Sequence, residues 1–197
     1  MIQNNATILI PGGFKPPHSG HLMMVNDLSD EYQKVIVIIG KKERDFITNI
    51  ISEEIWKLLP LKNNVEIVLS QDPQPIMTCY DFVFKSKEPV NYAMVSCDLK
   101  EGENRSEQFV KNIEKYKTTP TKSGFYAPKY VSGIIVKYNK TLYYNNRSDD
   151  HNNEILSSSI LRKDVINNDY DNFITNYPNI NKDIVDKIYL LLRKYYG

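Results

Sequence analysis

The sequence predicts an α/β protein built on a five-stranded parallel sheet, doubly wound with helices on both faces, and carrying a helical extension at its C-terminal end. Three observations predict it. Short uninterrupted apolar runs recur along the chain, as strands buried on both faces require. Segments with apolar residues at helical spacing lie between them. The two kinds alternate, and such a chain packs its strands in parallel with helices across the sheet.

The elements follow in order. Ala6 to Ile10 (ATILI) is an apolar run closed by Pro11-Gly12-Gly13, which reads as a buried strand. Pro16-Pro17 keeps the chain extended, and Ser19, a good N-cap, starts a helix with Leu22, Val25, Leu28 and Tyr32 on one face. Lys34 to Gly40 (KVIVIIG) is a second buried strand, followed by a polar loop over 41–48. Ile51, Ile55, Leu58 and Leu59 mark a helix ending near Pro60, with Trp56 read as a core residue. Val65 to Leu69 is a third strand, Pro75 to Phe84 a helix, and Val90 to Val95 a fourth strand. Ser106 to Tyr116 is a helix and Tyr130 to Lys137 (YVSGIIVK) a fifth strand. The stretches 117–128 and 143–153 are polar and lack periodicity, so both read as loops. Asp183 to Tyr196 carries Ile184, Ile188, Leu191, Leu192 and Tyr195 on one stripe and reads as a C-terminal helix.

Composition narrows the function classes. The 197 residues fit one domain, with its core over 6–166 and a helical part over 167–197. Lys+Arg is 25 and Asp+Glu 24, a net charge of +1, so no global field favours nucleic acid or an acidic membrane. Cys79 and Cys97 fit no zinc or redox spacing. The first residues lack a basic export region and no run reaches the length of a membrane helix, so the expected location is cytoplasmic. No Walker A pattern occurs.

Two motifs carry chemistry. The first, Gly12-Gly13-Phe14-Lys15-Pro16-Pro17-His18-Ser19-Gly20-His21, lies between the first strand and the first helix. In an open parallel sheet, ligands bind outside the carboxyl ends of the strands. Gly12 and Gly13 let the backbone turn tightly and approach a ligand. His18 and His21, three apart at a helix start, can face the same space, and Gly20 leaves room beside them. The helix N-terminus suits phosphate. Two of the chain's three histidines fall in this one stretch, which sets them apart from ordinary capping or surface histidines. A zinc pair is the other use of such spacing, but no Cys or carboxylate stands at ligand distance in the sequence. The second motif is Leu156-Ser157-Ser158-Ser159-Ile160-Leu161-Arg162. Serines at a helix start satisfy or present N–H groups, and Arg162, one turn later, can address the same anion with several fixed donors. A plain serine cap with a surface arginine is the alternative for this motif by itself.

Together these segments resemble the nucleotidyltransferase superfamily. His18-Ser19-Gly20-His21 is similar to its T/HxGH signature, and Leu156 to Arg162 to its ISSTxxR signature, with Leu for Ile and Ser159 for Thr. The flanking Gly-Gly-Phe-Lys-Pro-Pro-His resembles the GRFQPxHxGH opening of archaeal-type nicotinamide-mononucleotide adenylyltransferases and of small phage-encoded relatives. The motif order spans roughly residues 6–166. Cys97 before Asp98 departs from the glycine the family often has there.

The resemblance implies a Rossmann-like fold and direct in-line attack of an acceptor phosphate on the α-phosphorus of an NTP, with pyrophosphate leaving. Positioning and charge stabilisation then supply most of the catalysis. It implies that His18, His21 and Arg162 are the catalytic residues. Gly12, Gly13, Phe14, Lys15, Gly20, Ser157, Ser158 and Ser159 would bind the nucleotide. Lys41, Lys42 or Arg44 and Asp98 are candidates for the acceptor or a ribose. Mg²⁺ is the implied cofactor, held by phosphates and water and not by protein side chains. The expected partners are a nucleotide and a phosphorylated acceptor, with no nucleic acid or membrane; the C-terminal helix is left as either a cover for the core or an interface in a homo-oligomer. The leading reading is transfer of AMP from ATP to nicotinamide mononucleotide. The alternatives are a cytidylyltransferase making a CDP-alcohol and a catalytically silent nucleotide-binding module. Arg162 after the serines favours the adenylyl branch, while His18 where phosphopantetheine adenylyltransferases have Thr disfavours that one. A class I aminoacyl-tRNA synthetase fragment shares HxGH, but the chain has no KMSKS-like lysine motif.

Overall fold

The structure, a computed structural model, describes residues 4–96 and 102–196. In chain order it runs β1 (Asn4–Gly12), α1 (Ser19–Glu31), β2 (Tyr32–Ile39), α2 (Asn49–Leu58), β3 (Val65–Leu69), α3 (Pro75–Phe84), β4 (Asn91–Met94), α4 (Gly102–Tyr116) and β5 (Ser132–Gly133). It continues with α5 (Ser158–Ile166), α6 (Tyr170–Phe173), a 3₁₀ turn (Ile174–Asn176) and α7 (Lys182–Tyr196). The chain falls into two compact units. The first comprises 1–12, 25–41 and 62–139, and the second 13–24, 42–61 and 140–197.

The first unit holds the sheet. Its order is β3-β2-β1-β4-β5 and every pairing is parallel. This is the Rossmann-like, doubly wound arrangement: the chain builds outward from β1 to β3, then crosses back to lay β4 on the other side of β1. β-branched residues drive it, because Val35, Ile36, Val37, Ile38 and Ile39 are all buried and pack well on a pleated surface. Alternation sorts them. Leu9, Ile36, Ile38, Tyr92 and Met94 share a core with Cys79 and Val83 of α3 and Phe109 and Ile113 of α4. Ile8, Ile10, Val35, Val37 and Ile39 turn to the opposite face and are equally buried, as are Val25 and Leu28 from α1.

β1 and β2 end together. Gly40 N–H donates to the Gly12 carbonyl at 2.8 Å. A Cβ at Gly40 would stand 3.3 Å from the Pro75 ring and 3.4 Å from that carbonyl, which accounts for the glycine. Gly12 thus has a ladder role in the first unit.

In the second unit α5, α6 and α7 pack together, with α2 against α7. α7 buries Val185, Ile188 and Leu192, an i, i+3, i+7 stripe, with Ile184 and Leu191 half-buried beside it. Trp56 is fully buried in α2, where its ring meets Phe14 edge-on at 5.6 Å between centroids.

Three expectations need correction. Tyr32 opens β2 instead of closing α1. The fifth strand is only Ser132–Gly133, prolonged by one bond from Ile134 N–H to the Tyr92 carbonyl at 2.9 Å. It is an edge strand, and Ile135 is half exposed, so the apolar run there is not buried throughout. The helical part expected over 167–197 consists of the short turns over 170–176 followed by α7. Finally, Ser19 is the first residue of α1 and not its cap; the His18 carbonyl accepts from His21 N–H and Leu22 N–H at 2.9 and 3.1 Å. No described helix is long and apolar enough to cross a membrane.

Candidate active site

The HxGH segment forms a capping box made of two imidazoles. His18 stands at the N-cap of α1 and its Nδ1 accepts from Gly20 N–H at 3.2 Å. His21, three residues on, reaches back so that its Nδ1 accepts from His18 N–H at 3.3 Å. This is the reciprocal geometry usually made by Ser or Thr with Glu, and the i, i+3 spacing is what it requires. The rings stack at 3.8 Å between centroids with 30° between planes.

The box sets the chemistry of both rings. An Nδ1 that accepts a hydrogen bond carries no proton, so each neutral imidazole bears its proton on Nε2. Neither Nε2 has a hydrogen-bond partner among the described residues. Burial holds His21 down to about 4, and burial plus the neighbouring ring hold His18 well below the usual histidine range. Both are therefore neutral near pH 7. Two stacked imidazolium ions would repel strongly in this setting, whereas two neutral rings offer paired N–H donors.

Gly20 is needed for space. A Cβ there would lie 3.1 Å from Cε1 and Nδ1 of His18. Gly13 is different, because a Cβ there would meet nothing within 4 Å. The left-handed residue of the turn is Phe14, with φ of 49°, so the tight bend comes from Phe14 and not from the glycines as expected. Packing holds it there: the Phe14 ring is buried edge-on against His21 and Trp56.

Side chains from distant segments grip four consecutive carbonyls of this loop. Ser52 Oγ donates to Phe14 O, and Arg162 Nη1 to Lys15 O at 2.7 Å. Ser158 Oγ donates to Pro16 O at 2.8 Å and Tyr177 Oη to Pro17 O at 2.7 Å. Ser158 and Arg162 stand 142 and 147 residues from their partners in sequence. The two motifs thus form one structure within the second unit.

The α5 start presents its own donors. Ser157 is the N-cap, accepting from Ser159 N–H at 3.3 Å, and the Ser157 and Ser159 hydroxyls are 2.7 Å apart at the surface. Arg162 Nη1 also donates to Ser158 O at 3.1 Å, and Nε is paired with the Asp45 carboxylate. Among the described residues Arg162 Nη2 has no partner. Lys15 is buried, and its Nζ donates to the Lys42 carbonyl. Burial and then the Arg44 charge pull its ammonium down to about 8. The result is a loop and a helix start lined with N–H, O–H and cationic groups, suited to phosphate oxygens.

Supporting residues that sequence reasoning missed lie behind α5. Tyr144, fully buried, accepts from Ser157 N–H at 3.1 Å and donates to Asn176 Oδ1 at 2.6 Å. Arg147 stacks over the Tyr144 ring at 4.6 Å and makes a two-bond pair with Asp164 at 2.8 and 3.0 Å. It also binds Asp149, whose carboxyl the Arg147 hydrogen bonds hold at about 2. The one available signal was the scarcity of arginine: Arg147 is one of five.

Of the acceptor candidates, Arg44 is exposed in the second unit beside Lys15's field, and Lys41 is exposed in the first unit. Asp98 lies outside the described residues. Among the described residues no three His, Cys, Asp or Glu side chains group as metal ligands do.

Compared with models of known protein families, the chain matches none, and no curated protein sequence matches it. Among solved structures, the chain is similar to the nicotinic acid mononucleotide adenylyltransferase of Plasmodium falciparum, complexed with NaAD. The identity is 12% and the TM-score 0.44, with 95% of this chain and 98% of that chain covered.

Proposed function

We propose that the protein is a nucleotidyltransferase that moves a nucleoside monophosphate from an NTP to a phosphate-bearing acceptor and releases pyrophosphate. The observation that carries this reading is the joining of the two motifs: Ser158 and Arg162 bond the Pro16 and Lys15 carbonyls directly before the histidine capping box. Phosphate chemistry accounts for the N–H donors, exposed hydroxyls and cations so assembled, and the resemblance of both motifs to the superfamily signatures points the same way.

In this mechanism an acceptor phosphate oxygen attacks the α-phosphorus, and the bond from that phosphorus to the β-phosphate oxygen breaks. The acceptor is already an anion, so no general base is required. The Nε2–H groups of His18 and His21 donate to the phosphates and stabilise charge that develops on the transferring group and the leaving oxygen. The Ser157 and Ser159 hydroxyls and the α5 N-terminus hold the outer phosphates, while Arg162 Nη2 and Lys15 neutralise pyrophosphate as it forms. The Ser158 hydroxyl is committed to Pro16, so its share is to fix the loop. Mg²⁺ prefers oxygen ligands to imidazole, so it would enter with the NTP, held by phosphates and water, and would offset phosphate charge.

AMP transfer from ATP to nicotinamide mononucleotide is the leading form of the reaction. The test is pyrophosphate release from the purified protein with Mg²⁺, crossing ATP and CTP against nicotinamide mononucleotide, phosphopantetheine, glycerol 3-phosphate and choline phosphate. Release with ATP and nicotinamide mononucleotide alone supports the leading form. Release with CTP and an alcohol phosphate alone moves the protein to the cytidylyl branch with the residue roles unchanged. Nucleotide binding without release under any pairing argues for a silent binding module.

A further inference from the structure

Asp45 contributes the carboxylate that pairs with Arg162. It stands at the tip of a two-residue turn: Arg44 and Ile47 exchange both backbone hydrogen bonds, at 3.1 and 2.9 Å, and Asp45 adopts φ of 51°. Aspartate tolerates that left-handed conformation. The turn is anchored on the far side, where Ile47 is fully buried and the Phe46 ring meets Tyr196 edge-on at 5.2 Å. The Asp45 side chain is 53% exposed, and among the described residues Arg162 is its one partner.

The two ends of this ion pair differ in freedom. Arg162 is only 16% exposed and is pinned through Nη1 to the Lys15 and Ser158 carbonyls. The aspartate can swing into solvent; the arginine cannot leave. A carboxylate is also the side-chain group whose charge and oxygen spacing best imitate a phosphate edge against a guanidinium. Beside a polyphosphate, its negative charge would repel the ligand at close range.

We propose that Asp45 is a specificity-determining residue: it holds the anion position on Arg162, and a polyphosphate enters by exchange with it. The inference rests on the nucleotidyltransferase reading of the site. Exchange makes every phosphate ligand compete with a resident carboxylate, so the site rewards strongly charged anions such as triphosphates. The competition concerns the phosphates alone and is blind to the base.

The experiment is calorimetric titration of wild type and Asp45→Asn with MgATP, inorganic tripolyphosphate and adenosine. Asparagine keeps the shape and the left-handed backbone and removes the charge. The expected result is a Kd at least threefold lower in Asp45→Asn for MgATP and tripolyphosphate, by the same factor, with adenosine unmoved. Unchanged or weaker binding of both phosphates by the variant, with wild type still binding, overturns the exchange and leaves the nucleotidyltransferase reading standing; Asp45 would then orient Arg162. Failure of both proteins to bind any phosphate ligand refutes the reading and the exchange together.

Discussion

Gly20→Ala separates the geometry of the histidine box from the fold. The added Cβ would sit 3.1 Å from two atoms of the His18 ring, while ordinary contacts run from 3.4 to 4 Å. The ring must therefore retreat by several tenths of an ångström. It cannot move toward His21, whose ring is already stacked at 3.8 Å. The retreat stretches the bond from Gly20 N–H to His18 Nδ1 beyond its present 3.2 Å and displaces the Nε2–H donor. Since a misplacement of ~1 Å costs about 100-fold in rate, a shift of several tenths is expected to cost of order tenfold in kcat. Stability moves the other way or not at all. Alanine is the better helix former by up to about 1 kcal/mol, which offsets one weakened hydrogen bond worth about 1 kcal/mol. Steady-state pyrophosphate release and a thermal melt on the same preparation read both quantities. Wild-type kcat, or a melting temperature lowered by more than about 5 °C, would refute the claim that Gly20 serves the histidine box.

Two further predictions concern charge and support. Lys15 is charged below about 8 and neutral above it, because its folded-state pKa lies below the ordinary lysine value. MgATP affinity is therefore expected to fall as pH rises through 8. Lys15→Met should bind weakly at all pH and lose that inflection, as titration between pH 6.5 and 9.5 will read. Tyr144→Phe removes the group that receives Ser157 N–H and leaves Asn176 Oδ1 unpaired in the interior. A loss of about 1–3 kcal/mol in urea unfolding is expected, together with a higher KM for ATP; unchanged KM would mean that Tyr144 supports the fold but not the phosphate site.

How much of this was legible in sequence depended on whether side-chain identity encoded it. The apolar runs of β1 and β2 announced a parallel sheet because strands buried on both faces have no polar alternation to confuse them. The YVSGIIVK run misled for the same reason: its residues look like a central strand, yet β5 sits at the sheet edge with Ile135 half exposed. At the site, the spacing of His18 and His21 pointed to a shared space, and Ser157 and Arg162 to an anion. The reciprocal cap that fixes their tautomers was not legible, since histidine is an unusual partner in a box normally built from Ser, Thr, Glu and Gln. The grip on the Phe14, Lys15, Pro16 and Pro17 carbonyls was hidden too. Backbone acceptors are the same at every residue, so nothing singles out Ser52 or Tyr177 as their donors. Asp45 looked like one more charge in a polar loop until the fold set it on Arg162.

If the protein is a nucleotidyltransferase, residues 12–21 and 156–162 act together as one phosphate site. Pyrophosphate release from wild type, His21→Ala and Arg162→Ala, measured side by side on the substrate pair that the panel identifies, tests this joint action. Release by wild type and at least tenfold slower turnover in each variant, with unchanged circular dichroism spectra, are expected. Turnover in both variants close to that of wild type would contradict that joint action.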